Sequence, residues 1–124
     1  MKATPTDGEK IAQKINGYIQ GCESGDGMHF KAAFRPDAHM FGQVGPDRND
    51  EPIFGGMDVA VRTSRSGSMT PAFLSLDISS DAAAVKLAES RFWAKDMIDF
   101  FLLSRIDDEG HIVAKSFDHV GASA

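Results

Sequence analysis

A chain of 124 residues with 42% hydrophobic and 25% charged residues has the size and composition of one soluble globular domain, residues 1–124, with 1–6 as a loose tail. A formal net charge of −5, with 13 scattered Lys and Arg, excludes the clustered basic footprint of a phosphate-backbone binder. No apolar stretch reaches the ~20 residues of a membrane span, the N-terminal residues lack the apolar core of a secretory signal, and the lone Cys22 leaves no internal disulfide, so a cytoplasmic location is expected.

Thr6-Asp7-Gly8-Glu9 has capping-box spacing, a hydroxyl three positions before a carboxylate. Ile11, Ile15, Tyr18, Ile19 and Cys22 then recur on one stripe of a helix, which Gly21 and Gly25 close. Asp26 or Ser24 caps a short second helix whose buried edge is Phe30, Ala33 and Phe34. Pro36 forces extended geometry on its predecessor, and a strand follows over 38–44. The polar stretch 45–52 reads as a loop, and 57–63 as a third helix after Gly55-Gly56. That glycine pair is no phosphate loop, because no Lys-Ser/Thr completes it. Residues 64–69 read as a flexible connector.

The rest reads as strands. Leu74, Leu76 and Ile78 alternate with polar residues, and further strands are predicted over 85–93, 97–106 and 112–120. Asp107 to Gly110 is the turn between the last two, with Gly110 expected to supply positive φ. The run from Ile98 to Leu103 is apolar on both faces apart from Asp99, as in a strand covered on both sides. Helices in so short a chain cover one side, so the other is expected to pack on a second copy, giving a homodimer through the sheet.

The segments Y-I-Q-G-C-E-S-G-D (18–26), F-R-P-D-A-H-M-F-G (34–42), P-I-F-G-G (52–56), D-F-F-L-L-S-R (99–105) and D-E-G-H-I-V-A-K-S-F (108–117) resemble, in order and spacing, the nuclear transport factor 2-like superfamily. Within it they are similar to the SnoaL-like and "putative lumazine-binding" groups of small bacterial proteins. The resemblance implies an α+β cone of the cystatin-like type: three N-terminal helices on a strongly curved, mostly antiparallel sheet, with a pocket between them. It also permits a comparison with ketosteroid isomerase. That enzyme's helix tyrosine, eight residues before the Gly-Asp break, is matched by Tyr18; its general base falls on Gly42 and its second, protonated aspartate on Leu102. With both carboxylates missing, that route of proton abstraction has no base.

The resemblance and the residues together make Tyr18, Phe34, Met40, Phe54, Ile98, Phe100, Leu102, Phe117 and His119 the candidate ligand contacts. Ile53, Phe73, Phe92 and Trp93 add apolar surface. Tyr18 is the candidate oxyanion donor or core aromatic, and His119 the candidate acid/base or a satisfied histidine at the sheet end. The face of Asp99 depends on the last hairpin. A two- or four-residue turn places Ile98, Phe100 and Leu102 with Lys115, Phe117 and His119; a three-residue turn with a bulge at Gly110 brings Asp99 beside His119. The resemblance favours the first, which turns Asp99 away from the pocket. Glu89 and Arg91 share a strand face and read as a surface ion pair, with contact to a polar ligand group as the alternative, and Asp37 as turn chemistry. His29, His39, His111 and His119 show no metal-ligand spacing, and no cofactor fingerprint is present. The expected function is binding of a small aromatic or polycyclic molecule. The alternatives are a cyclase, isomerase or dehydratase using His119 and Tyr18, and a dimeric interaction module with a vestigial pocket.

Overall fold

A computed structural model describes residues 7–63, 66–106 and 108–122. Helix α1 runs Asp7–Ser24 and turns Ile15, Tyr18, Ile19 and Cys22 inward, the stripe that the sequence periodicity marks. Gly25 ends it with φ 75. Gly21 has a different task from the one expected. It lies buried inside the helix, where a Cβ would stand 2.8 Å from the backbone nitrogen of Phe30, so it lets the second helix approach closely. That helix, α2, spans Gly27–Ala33 and is capped by Asp26, whose carboxylate accepts from the Met28 and His29 amides. The Thr6 capping box and the loose tail fall outside the described residues.

Strand β1 covers Phe34–Val44, β2 Asp47–Pro52, α3 Met57–Thr63, β3 Thr70–Ile78, β4 Ala82–Phe92, β5 Lys95–Ile106 and β6 Glu109–Ala122. The strands form one sheet in the order β2-β1-β6-β5-β4-β3. Only β1 and β6 run parallel; the other neighbours are antiparallel. The fold is therefore the expected α+β arrangement, helices on one face of a curved, unclosed sheet. None of the described helices is long and apolar enough to cross a membrane.

Three expectations need correction. The stretch 45–52 is not wholly loop, because β2 pairs with β1 from Val44↔Asp47 to His39↔Pro52. Its polar sequence suits an edge strand, which gains by being unattractive to other edges. Positive φ after β5 belongs to Asp108 (φ 64) rather than Gly110, which sits in the ladder opposite Arg105. Third, the parity of the last hairpin is reversed. Ile106 pairs with Glu109, leaving the two residues that the favoured register requires, but Leu103 pairs with Ile112 and Leu102 with Ala114. Val113 is thus an extra residue, a β-bulge, and it exchanges the two faces as far as His119, after which the register shifts again. Phe101 now faces Lys115 and Asp99 faces Phe117.

The core consequently contains Met97, Asp99, Phe101 and Leu103, while Phe100 (49% exposed) and Leu102 (55% exposed) lie on the outer face, with Ile98 beside them in the alternation of β5. Those three do not line a pocket between helices and sheet.

Candidate functional site

Four polar side chains lie in the core where α1 crosses the sheet. Tyr18 comes from α1, Glu89 from β4, Asp99 from β5 and Lys115 from β6, and all are buried. Glu89, Asp99 and Lys115 retain 1%, 0% and 2% of their surface. Their strand positions explain this: Glu89 continues the buried alternation of Ala83, Val85 and Leu87, and Lys115 stands across from Phe101. The Tyr18 hydroxyl donates to Asp99 Oδ2 at 3.2 Å, and Lys115 Nζ lies 3.6 Å from the same oxygen. The Tyr18 ring packs edge-on to Phe101 at 5.1 Å and also meets Phe30 and Phe34.

Burial dominates the electrostatics. It holds Glu89 well above the usual carboxylate range, and the neighbouring charge of Asp99 adds to the effect, both favouring the protonated form. Burial likewise raises the Tyr18 phenol and the Cys22 thiol, the latter sitting one turn along α1. Both Glu89 oxygens and Asp99 Oδ1 lack a donor. A proton on Glu89 supplies one, since the protonated carboxyl can donate toward Asp99. Glu89 is thus not one half of a surface pair with Arg91. The β4–β5 register shifts between Glu89 and Phe92, Arg91 takes φ 63, and its guanidinium donates to Thr70 Oγ1 at 2.5 Å.

Lys115 connects this cluster to a cavity of about 350 Å³ between α3, the turn after β4 and the inner face of the sheet. Its walls include Met40, Met57, Phe92, Trp93, Met97 and Phe117, with Asn49, Glu51 and Lys95 as its other polar lining. Lys115 Nζ is set among the walls themselves: Met57 Sδ at 3.7 Å and the rings of Phe92 and Phe117 at 5.4 and 5.3 Å, with Tyr18 behind at 5.3 Å. Two backbone features shape the space. Gly42 stands opposite Phe117 on β1, and a Cβ there would lie 2.5 Å from the Phe117 ring, so the missing side chain makes room for that ring. Trp93 and Ala94, between the paired residues Phe92 and Lys95, both have positive φ (48 and 61). That combination belongs to a type I′ turn, costly without glycine, and it holds Trp93 at the cavity.

Of the candidate contacts, Met40 and Phe117 are on the cavity wall. Tyr18 and Phe34 are core, the first one layer behind Lys115; Phe54 is half-buried against the core. His119 stands across from Met97, with a buried Nε2 that has no hydrogen-bond partner. The sequence reading missed Glu89, Asp99 and Lys115 as one group. Parity along β4 pointed to Glu89; the other two were hidden by the bulge at Val113.

The model of the family described as "Putative lumazine-binding" matches residues 6–118. The chain belongs to this family. Its fold is that of the nuclear transport factor 2-like superfamily. A protein of unknown function from Methylobacillus flagellatus KT is similar over 97% of both chains, with 27% identity and a TM-score of 0.86. Another, from Shewanella baltica OS155, is 21% identical with a TM-score of 0.83, covering 96% of this chain and all (100%) of its own. A structure from Shewanella frigidimarina NCIMB 400 described as a "putative ketosteroid isomerase" shares the fold at 10% identity, TM-score 0.69, over 88% of this chain and 94% of its own. No curated protein matches the chain. The space beside Gly42 is filled by the ring of Phe117, and Leu102 lies on the outer face of the sheet.

Proposed function

We propose that this family member binds a small aromatic or polycyclic molecule in the cavity between α3 and the sheet. The observation that carries the reading is the cavity itself: about 350 Å³, with aromatic and methionine walls and few polar groups. Small-molecule sites have this size and character. The family's description as lumazine-binding supports a small organic ligand. The test is a thermal-shift screen against aromatic acids, flavin-like heterocycles, polyketides and steroids. A reproducible rise of several degrees with one class is expected, since a native-state ligand stabilises in proportion to its occupancy. No shift with any class, confirmed by calorimetry, would refute the reading.

A second reading, an enzyme of the cyclase, isomerase or dehydratase type, is favoured by the buried cluster behind the wall. A carboxyl kept neutral beside an ion pair is an arrangement that catalytic sites use. His119, with its unpartnered Nε2, would be the acid/base group. Loss of turnover without loss of fold in His119→Gln would support it.

The exposed Phe100 and Leu102 support a homodimer packed through the outer face of the sheet. A reducing, cytoplasmic setting suits the lone, buried Cys22.

A further inference from the structure

Lys115 is short of acceptors. Its ammonium carries three N–H donors and is buried, yet its hydrogen-bond acceptor is the thioether of Met57 at 3.7 Å, a weak one. Asp99 Oδ2, at 3.6 Å, is at ion-pair rather than hydrogen-bond distance. The rings of Tyr18, Phe92 and Phe117 offer π-faces, and the two phenylalanines carry no lone pairs. A buried cation with unused donors is costly unless something supplies them with oxygen. Met57, Phe92 and Phe117, which surround Nζ, all line the cavity, so the space available to an oxygen is the cavity.

The charge of that oxygen follows from the neighbours. Lys115 is already paired with Asp99. A second anion at Nζ would come close to the buried Asp99, and like charges repel at such a site. Glu89 meets the same situation from the other side: burial and then Asp99 push its pKa well above the ordinary carboxylate value. The remaining charged wall residues, Glu51 and Lys95, have opposite signs and give the cavity no net preference. A neutral acceptor is the better fit.

We infer that Lys115 is the polar anchor of the cavity and donates to a neutral oxygen acceptor carried by an aromatic ligand held among Phe92, Trp93 and Phe117. This rests on the binding reading above and narrows it to a ligand class. An aromatic ring is favoured because aromatic side chains pack well on ring faces and edges.

Three bicyclic probes of similar size test the inference by direct titration calorimetry on the whole chain: quinolin-2-one, 2-naphthoate and naphthalene. The expected order is quinolin-2-one first, about tenfold or more tighter than naphthalene, as a buried hydrogen bond to a charged donor requires. In Lys115→Met, with folding verified by circular dichroism, that preference disappears while naphthalene binding remains. If Lys115→Met does not fold, the double variant Lys115→Met/Asp99→Asn removes the ion pair as a unit and carries the same comparison; the wild-type order decides independently of either. Tightest binding by 2-naphthoate, equal binding of all three, or a preference that survives without Lys115 would overturn the anchor while leaving the pocket intact. No binding by any probe would overturn the pocket reading and the anchor with it.

Discussion

Tyr18 on the first helix donates its hydroxyl to Asp99 on the fifth strand, 81 positions away, and the two are buried together. The bond ties α1 to the centre of the sheet and gives Asp99 Oδ2 a donor beside Lys115. It is the structural use of a tyrosine that the sequence also offered as an oxyanion donor.

Tyr18→Phe keeps the ring in its aromatic cluster and removes only that donor. Hydrogen bonds to charged groups contribute about 1.5–3 kcal/mol, so a loss of that order is expected in urea denaturation, with the fold retained. A change within about 0.5 kcal/mol would show that Asp99 finds an equivalent donor without Tyr18.

Glu89 predicts an unusual response to pH. Its native pKa lies above the ordinary 4.5 because of burial and then Asp99. The native state therefore keeps a proton that the unfolded chain releases as pH rises past about 4.5. Across that interval Glu89 makes stability fall, by about 1.4 kcal/mol per pH unit for one proton, until it ionises in the native state too. Below the unfolded pKa it contributes no dependence. Glu89→Gln, whose amide can still donate toward Asp99, should flatten the fall and raise the denaturation midpoint at pH 7–8 relative to the parent. Parallel profiles for the two proteins would contradict a neutral Glu89.

Gly42→Ala tests the fit between β1 and the cavity wall. The added methyl meets the Phe117 ring at 2.5 Å, so the ring must shift. Overpacking of this kind costs about 1–3 kcal/mol. Any ligand found by thermal shift should bind more weakly to the variant, as its wall has moved. Unchanged stability and affinity together would mean that the ring rotates away without consequence.

The outer face makes its own prediction. If Phe100 and Leu102 are covered by a second copy, the double variant Phe100→Glu/Leu102→Glu is a monomer by light scattering at concentrations where the parent is a dimer. Both side chains are about half exposed in the isolated chain, so the substitutions should leave its stability nearly unchanged. A parent that is itself monomeric at micromolar concentration would end the proposal.

The helices were legible because they announce themselves locally. An apolar stripe marks α1, Asp26 caps α2, and the residue pattern places α3 over Met57–Thr63. Strand existence was legible from alternation in β3 and from the apolar run in β5, whereas β2 hid behind a composition, D-R-N-D-E-P, that suits an edge and a loop equally. Sidedness was the hard part. One unpaired valine at 113 reverses the parity of β6, and nothing about valine signals a bulge. The buried cluster was lost with it, because Asp99 and Lys115 can be recognised as partners only when the register is known. Glu89 was within reach, since it shares the parity of Val85 and Leu87, but a charged residue in a strand defaults to the surface.

Gly42 and Phe117 also bear on how this scaffold could acquire new chemistry. Installing an aspartate at position 42 alone drives a carboxylate into the ring that now fills its place, while shrinking Phe117 first opens a void in the cavity wall. Each single step is penalised, and the pair relieves both penalties. The two positions are therefore coupled, and a library that varies them together offers a less costly route to a base at position 42 than one that varies each alone.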